Sequence, residues 1–268
     1  VHYSSFEMNR YGFYGSALIL PEFQKNFFLA YDNPDLSYCL YLNNCDQYSI
    51  EANTFTGNPY HLHEDIGLYI RNSGPQNNEV YSNTFQNLKY AAVADGYNRY
   101  TPAQTGLCFK CNDFITCTND ILVPLPDPPL VNVNYSGIRQ YQGTPGSLNT
   151  DAAGNTFSSN GILNYANYLN PIVYVHHEFK TPSTAKIIPD PRTVNKIALL
   201  PNANTTYSKE QSCPPKLVDD NKEVLREQIA EAKAGIQTTE TQLEAFTDGG
   251  NTNELNNEVQ TAQSSSSY

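Results

Sequence analysis

The sequence predicts an all-β chain, a right-handed parallel β-helix followed by a C-terminal α-helical hairpin. Three observations carry this. Alternating apolar strands end in Asn-x-Phe at Asn53/Phe55, Asn83/Phe85 and Asn112/Phe114, at spacings of 30 and 29 residues. A fixed period in that range marks a stacked-repeat architecture. Strands of a second kind, GLYIRNSG from Gly67 and AAVADG from Ala91, alternate with the first, and Gly- and Asn-rich corners separate them. A unit this small cannot bury its apolar face alone and must stack on copies of itself.

Composition agrees. Hydrophobic residues make up 39% and charged residues 16% of the 268-residue chain, with 31 asparagines. Its polarity is therefore uncharged, unlike that of a charge-driven disordered chain. Asparagine tolerates left-handed backbone at corners. It can also stack coil upon coil, and Asn53, Asn83, Asn112 and Asn155 are the expected members of such a hydrogen-bonded ladder. The 20 tyrosines suit strands. A net charge of -11 argues against nucleic acid, which demands clustered Lys and Arg. No run of 18 apolar residues is present to span a membrane. VHYSSFEMNR is not a signal peptide, and the start falls within repeat material, as expected of an interior piece of a longer protein.

Taken in order, residues 1–180 form the β-helix. YGSALIL and KNFFLAY supply its first coils, with a corner at Tyr31–Pro34. In YSIEANTF the alternation sets Tyr48, Ile50 and Ala52 inward and Ser49 and Glu51 outward. Leu68 and Ile70 point inward by the same rule, and Tyr69 and Arg71 outward. The small inward pair Ala92 and Ala94 needs a space-filling Tyr or Phe from a neighbouring coil. Four prolines between Pro124 and Pro129 exclude a central strand there. Asn155/Phe157 repeats the corner 43 residues after Asn112, so one coil carries an insertion. Ile172–Val175 is the last good strand.

Residues 181–215 are Pro-rich and read as a strap or linker. Residues 216–262 read as a helical hairpin, with Leu225, Ile229, Ala232, Ile236, Leu243 and Phe246 forming an apolar stripe. Asp248–Asn251 stops the first helix and Thr252 caps the second. Residues 263–268 are a disordered tail.

Candidate chemistry is sparse. His61, His63 and Glu64 are the most metal-like group, because alternate residues of an extended chain face one side and imidazole with carboxylate suits zinc. A solvated corner is the plain alternative. His176-His177-Glu178 is equally short of partners. Cys108-x-x-Cys111 with Cys117 resembles half a zinc site, but buried thiols or one disulfide explain it as well. Cys111–Cys117 and Cys39–Cys45 are possible pairs among the 15 pairings of six cysteines. The outward residues Glu51, Tyr69, Arg71, Tyr81, Asp95 and Lys110 include no doubled carboxylate of a glycan-cleaving face. Arg71 and Asp95 are expected to neighbour each other on successive coils. No catalytic residue and no cofactor is expected.

The run GLYIRNSG, NNEVYSNTF, AAVADGYN and GLCFKCNDF, followed by GIRQYQG, AGNTF and VYVHHEF, resembles the β-helix region of large secreted Bacteroidetes proteins exported by the type IX secretion system. The resemblance spans residues 25–180 and continues into the Cys213 linker. It implies export and a place at the cell surface, associated with the outer membrane, or in the medium. The C-terminal sorting domain of that family is not found in these residues. The expected function is that of a non-catalytic module presenting a binding surface to glycan or a surface protein. One alternative is a cargo or accessory subunit held by outer-membrane type IX translocon components. Another is a polysaccharide lyase or hydrolase.

Overall fold

A computed structural model describes residues 1–30, 35–60, 64–125, 132–159, 163–179, 186–190, 196–216, 233, 235–240, 243 and 252–265. The chain divides into two compact units, Val1–Pro214 and Pro215–Tyr268. The first is a parallel β-solenoid of about six turns. Successive coils contribute strands to three walls. The six-stranded wall stacks β2 (Tyr11–Ser16), β5 (Ser37–Asn43), β8 (Asp65–Arg71), β11 (Tyr90–Asp95), β16 (Asn119–Val123) and β18 (Leu163–Asn167) in that order. The five-stranded wall stacks β1 (Ser5–Asn9), β4 (Phe27–Ala30), β7 (Thr54–Thr56), β10 (Thr84–Gln86) and β15 (Asp113–Ile115). The four-stranded wall stacks β3 (Glu22–Gln24), β6 (Ser49–Glu51), β9 (Glu79–Tyr81) and β14 (Cys108–Lys110). Within these walls every pair is parallel.

The fourth coil carries a small antiparallel pair, β12 (Arg99–Tyr100) with β13 (Thr105–Gly106). A separate sheet joins β17 (Tyr141–Gln142), β19 (Ile172–Phe179) and β20 (Ile197–Thr206), all parallel. Strand β20 lies within the stretch whose prolines suggest a strap. Its Pro201 stands opposite His176 with the register unbroken, and the irregularity comes later, between His177 and Phe179.

Two ladders along the axis explain the Asn-x-Phe spacing. Each asparagine follows a residue in the left-handed region: Lys25, Ala52, Ser82, Cys111 and Gly154, with φ between 52° and 67°. That turn aims the amide inward, where it cannot reach water. Nδ2 of Asn26, Asn53, Asn83 and Asn112 therefore donates to Oδ1 of the next coil's asparagine at 2.9, 2.9, 3.1 and 3.1 Å, ending on Asn155. The same oxygens accept the backbone N–H of the coil before, at 2.8–3.0 Å. Two residues on, the rings of Phe28, Phe55, Phe85, Phe114 and Phe157 stack, and Phe6, two residues after Ser4, extends the stack, at 4.8–5.9 Å between centroids. Burying each phenylalanine contributes roughly 1.5–3 kcal/mol, and offset stacking adds about 0.5–1.5 kcal/mol.

The other inward files mix aliphatic and aromatic side chains, as in Phe23, Ile50, Val80 and Phe109. Ala92 stands in register between Leu68 and Ile121, so aliphatic rather than aromatic neighbours border it along the file. The alternation through YSIEANTF holds for Tyr48 and Ile50, both buried, but breaks at the exposed, left-handed Ala52.

In the second unit, residues 235–240 are helical and a helix runs over Thr252–Ser265. Ile236, Leu243, Leu255 and Val259 are exposed. Leu225, Ile229, Ala232 and Phe246 of the expected stripe lie outside the described residues, as do Ser266–Tyr268. No helix among the described residues is long and apolar enough to cross a membrane.

Candidate functional site

The outward side of the six-stranded wall carries two files of side chains. The parallel register aligns Tyr11 with Tyr38, and Tyr38 with Ile66, which pairs with Tyr90. The second file aligns Tyr14, Tyr41, Tyr69 and Val93. Within the files Tyr11 stacks on Tyr38 at 5.1 Å, Tyr14 on Tyr41 at 5.1 Å and Tyr41 on Tyr69 at 4.8 Å. Between the files the rings meet edge to face, Tyr38 with Tyr41 at 5.1 Å and 78°, and Tyr38 with Tyr69 at 5.5 Å and 85°. Five tyrosines are thus fixed in one herringbone. Tyr11 and Tyr14 are 41% and 55% exposed, and the other three are half-buried.

A polar cluster closes the second file. Tyr69 Oη donates to Asp95 Oδ2 at 2.8 Å, and Arg71 Nε lies 3.5 Å from the same oxygen. The Arg71 guanidinium also acts on the Tyr41 phenol, favouring its ionised form against burial. Burial, then the bond to Asp95, holds the Tyr69 phenol well above its ordinary value. The Asp95 charge raises Arg71, and burial is the main cause raising Tyr38 and Tyr41. Near neutral pH the face therefore presents neutral phenols beside one ion pair. On the following coils the wall opens into a groove of about 390 Å³, lined among others by Tyr90, Asn119, Leu122, Leu163 and Tyr168.

The remaining candidate residues lie elsewhere. His61 and His63 fall outside the described residues. Glu64 is exposed, with Oε1 3.6 Å from Lys89 Nζ. No group of three potential metal ligands occurs among the described residues. His176 and His177 are buried; His176 Nδ1 lies 2.7 Å from His177 O, and burial, then the His176 charge, pulls His177 down to about 4.

Cys111 is paired with Cys213, which is neither of the local pairings considered from sequence. The reason is geometric. The chain after β20 crosses the corner of β14, and the single helical turn Lys209–Ser212 brings Cys213 to a Cα–Cα distance of 5.6 Å. Cys39, Cys45, Cys108 and Cys117 are free and buried. The segment ending at Pro214 also explains Tyr81, an outward residue that is nonetheless buried. Its hydroxyl donates to Pro214 O at 2.6 Å. Glu51, its register partner, is buried as well, and Lys110 reaches Thr150 O.

Sequence reasoning named Tyr69, Arg71 and Asp95 and placed the ion pair. The files it missed were legible in YGFYGS and SYCLYLN, where tyrosines recur three residues apart rather than two. Gly12 and Cys39 account for that spacing. Cys39 turns inward into the core, and a Cβ on Gly12 would stand 2.4 Å from Cys39 O. The fold and this face define a parallel β-solenoid with an ordered aromatic wall. No family model, curated protein or solved structure matches the chain.

Proposed function

We propose that this chain is a non-catalytic binding module of an exported cell-surface protein, and that it holds glycan or a protein partner on the tyrosine wall. The observation that carries the reading is the herringbone of Tyr11, Tyr14, Tyr38, Tyr41 and Tyr69 beside the Arg71–Asp95 pair. Tyrosine supplies large, rigid, amphipathic contact area at low conformational-entropy cost. Here the rings are immobilised by one another, so little ordering cost falls on binding. Asp95 is engaged by Arg71 and Tyr69, which favours binding over acid–base chemistry at this carboxylate.

Export is supported by the Cys111–Cys213 disulfide, since such bonds persist in oxidising compartments. It is further supported by the resemblance to Bacteroidetes β-helix proteins, which makes type IX secretion the proposed route. The test is a glycan array and a surface-protein pull-down with the wild-type chain and the Tyr14→Ala/Tyr41→Ala double variant. A ligand bound about tenfold or more weakly by a variant of unchanged fold supports the wall as the binding surface, since interface tyrosines commonly carry more than 1 kcal/mol each. Equal binding by both proteins sinks the reading.

A further inference from the structure

A second cavity lies apart from the tyrosine wall, where the insertion of the fifth coil meets β14. Gln142 locks the insertion in place: its Oε1 accepts Phe109 N–H at 2.9 Å and its Nε2 donates to Leu107 O at 3.1 Å. Arg139 is fixed by the same strand, with its backbone N–H on Leu107 O at 3.1 Å. Its guanidinium is held from one side only. Nε donates to Tyr141 O at 2.8 Å and Nη2 points at Cys108 Sγ, 3.1 Å away. Among the described residues no carboxylate pairs with it. Among the described residues the outer end of the guanidinium fork, with the Nη1 hydrogens, meets no protein acceptor.

A second cation stands close by. Lys110, two residues beyond Cys108 on the same side of β14, gives one hydrogen to Thr150 O at 2.6 Å. Burial first, and the Arg139 charge, lower its pKa, while Cys108 and Asp151 act the other way. The cavity is an open pocket of about 340 Å³ lined by Gln104, Arg139, Tyr141, Gly143, Thr144 and Pro145. That is the volume of a small-molecule site, larger than a bare anion requires. Gly143 sits at φ +90°, and a Cβ there would meet Ala153 N at 2.8 Å, so the wall at this point is bare backbone. The other walls offer an amide, a phenol and a hydroxyl. A guanidinium fork is the preferred partner of carboxylate and sulfate, and neutral donors and acceptors around it suit hydroxyl groups. The chain as a whole, at net charge -11, repels anions, so attraction must be local.

We propose that this cavity binds the carboxylate or sulfate group of an acidic saccharide unit, with Arg139 as the charge-bearing contact and Lys110, outside the lining, adding only to the local positive field. The assignment does not depend on what the tyrosine wall holds. It is tested by titrating the ¹⁵N-labelled full chain with glucuronate, inorganic sulfate and glucose. Glucuronate should shift the Gly143 and Thr144 amides and the Gln104 side chain, with glucose leaving them in place. Arg139→Gln should weaken glucuronate about ten- to a hundredfold, as expected for losing a charged hydrogen-bond donor, and Arg139→Lys should recover part of the loss. Undiminished binding by Arg139→Gln, equal shifts with glucose, or no shift at roughly 50 mM glucuronate, far weaker than a charge-paired contact allows, overturns the site. Sulfate binding as tightly as glucuronate overturns the saccharide assignment. If Arg139→Gln does not fold, displacement of glucuronate by sulfate at these three residues of the wild-type chain decides the matter: displacement supports the charge contact, and its absence refutes it.

Discussion

Replacing Asn83 with alanine removes the middle rung of the asparagine ladder, and the structure sets the size of the effect. Asn83 Oδ1 accepts both the backbone N–H and the Nδ2–H of Asn53, each at 2.9 Å. Its own Nδ2 donates to Ile50 O at 2.9 Å and to Asn112 Oδ1 at 3.1 Å. Asn83 has no exposed surface, so water cannot substitute. The truncation strands two buried N–H donors on Asn53, at about 1–3 kcal/mol each, for a loss of roughly 2–6 kcal/mol. That is a large share of the roughly 5–15 kcal/mol that holds a typical domain together. The end rung offers an internal control. Asn26 Oδ1 accepts only Ser4 N–H from the coil before it, and Ser4 is half-buried, so water can replace the lost acceptor and Asn26→Ala should cost about 1 kcal/mol. Urea unfolding followed by far-ultraviolet circular dichroism measures both. Equal losses for the two variants would refute the ladder as a cooperative element, and an Asn83→Ala loss below that of Asn26→Ala would do so more strongly.

Asp120 is fully buried, and burial pushes its carboxyl up to about 6 against hydrogen bonds from Ser158 and Asn164. A carboxyl whose folded pKa is raised stabilises most below its unfolded value of 3.8 and loses that contribution as pH rises to about 6. Asp120→Asn should therefore gain on the wild type across that window, by about 3 kcal/mol at pH 7 relative to pH 3.5; parallel stability–pH curves would contradict this. The Cys111–Cys213 bond closes a loop of 102 residues, so the Cys111→Ser/Cys213→Ser variant should lose about 2–5 kcal/mol and become cleavable at Lys209 by trypsin. Gly154→Ala places a Cβ 2.9 Å from Cys213 Sγ at φ +67°, and a loss of about 1–3 kcal/mol is expected by thermal unfolding. In the background lacking the disulfide the part due to the Sγ contact should disappear, while the strain of the positive φ remains.

The solenoid was legible because one corner dictates it. An asparagine after a left-handed residue, with phenylalanine two places on, needs the same groups in the next coil, so the requirement recurs in sequence at the length of a coil. The Asn26-Phe27-Phe28 corner obeys the same rule and extends the ladder one coil earlier than the three clearest repeats indicate. What was not legible is what depends on chain returning from afar. Cys213 meets Cys111 only because β20 pairs with β19 and carries the segment back across β14. Tyr81 and Glu51 read as outward, and they are, yet neither is exposed. The Arg139 cavity likewise joins the hairpin end at Gln104 to an insertion more than 30 residues later. No local pattern announces such a meeting.

The two aromatic files differ in a way that bears on function. The phenylalanine file inside the solenoid runs from Phe6 to Phe157 without a break, since every coil needs the same volume filled. The tyrosine file outside it ends at Tyr69. Val93, Leu122 and Ala166 follow in the same register. Were the outer tyrosines kept only for stacking, later coils would gain equally from them and the file would continue. Instead it stops where Arg71 and Asp95 pair, and beyond that pair the smaller side chains leave room for the groove at Tyr90 and Leu122. A stack, an ion pair and a groove in succession along one wall make a graded surface, with contacts that differ from coil to coil. Such variation from coil to coil is what the proposed recognition of an extended ligand along the axis would use.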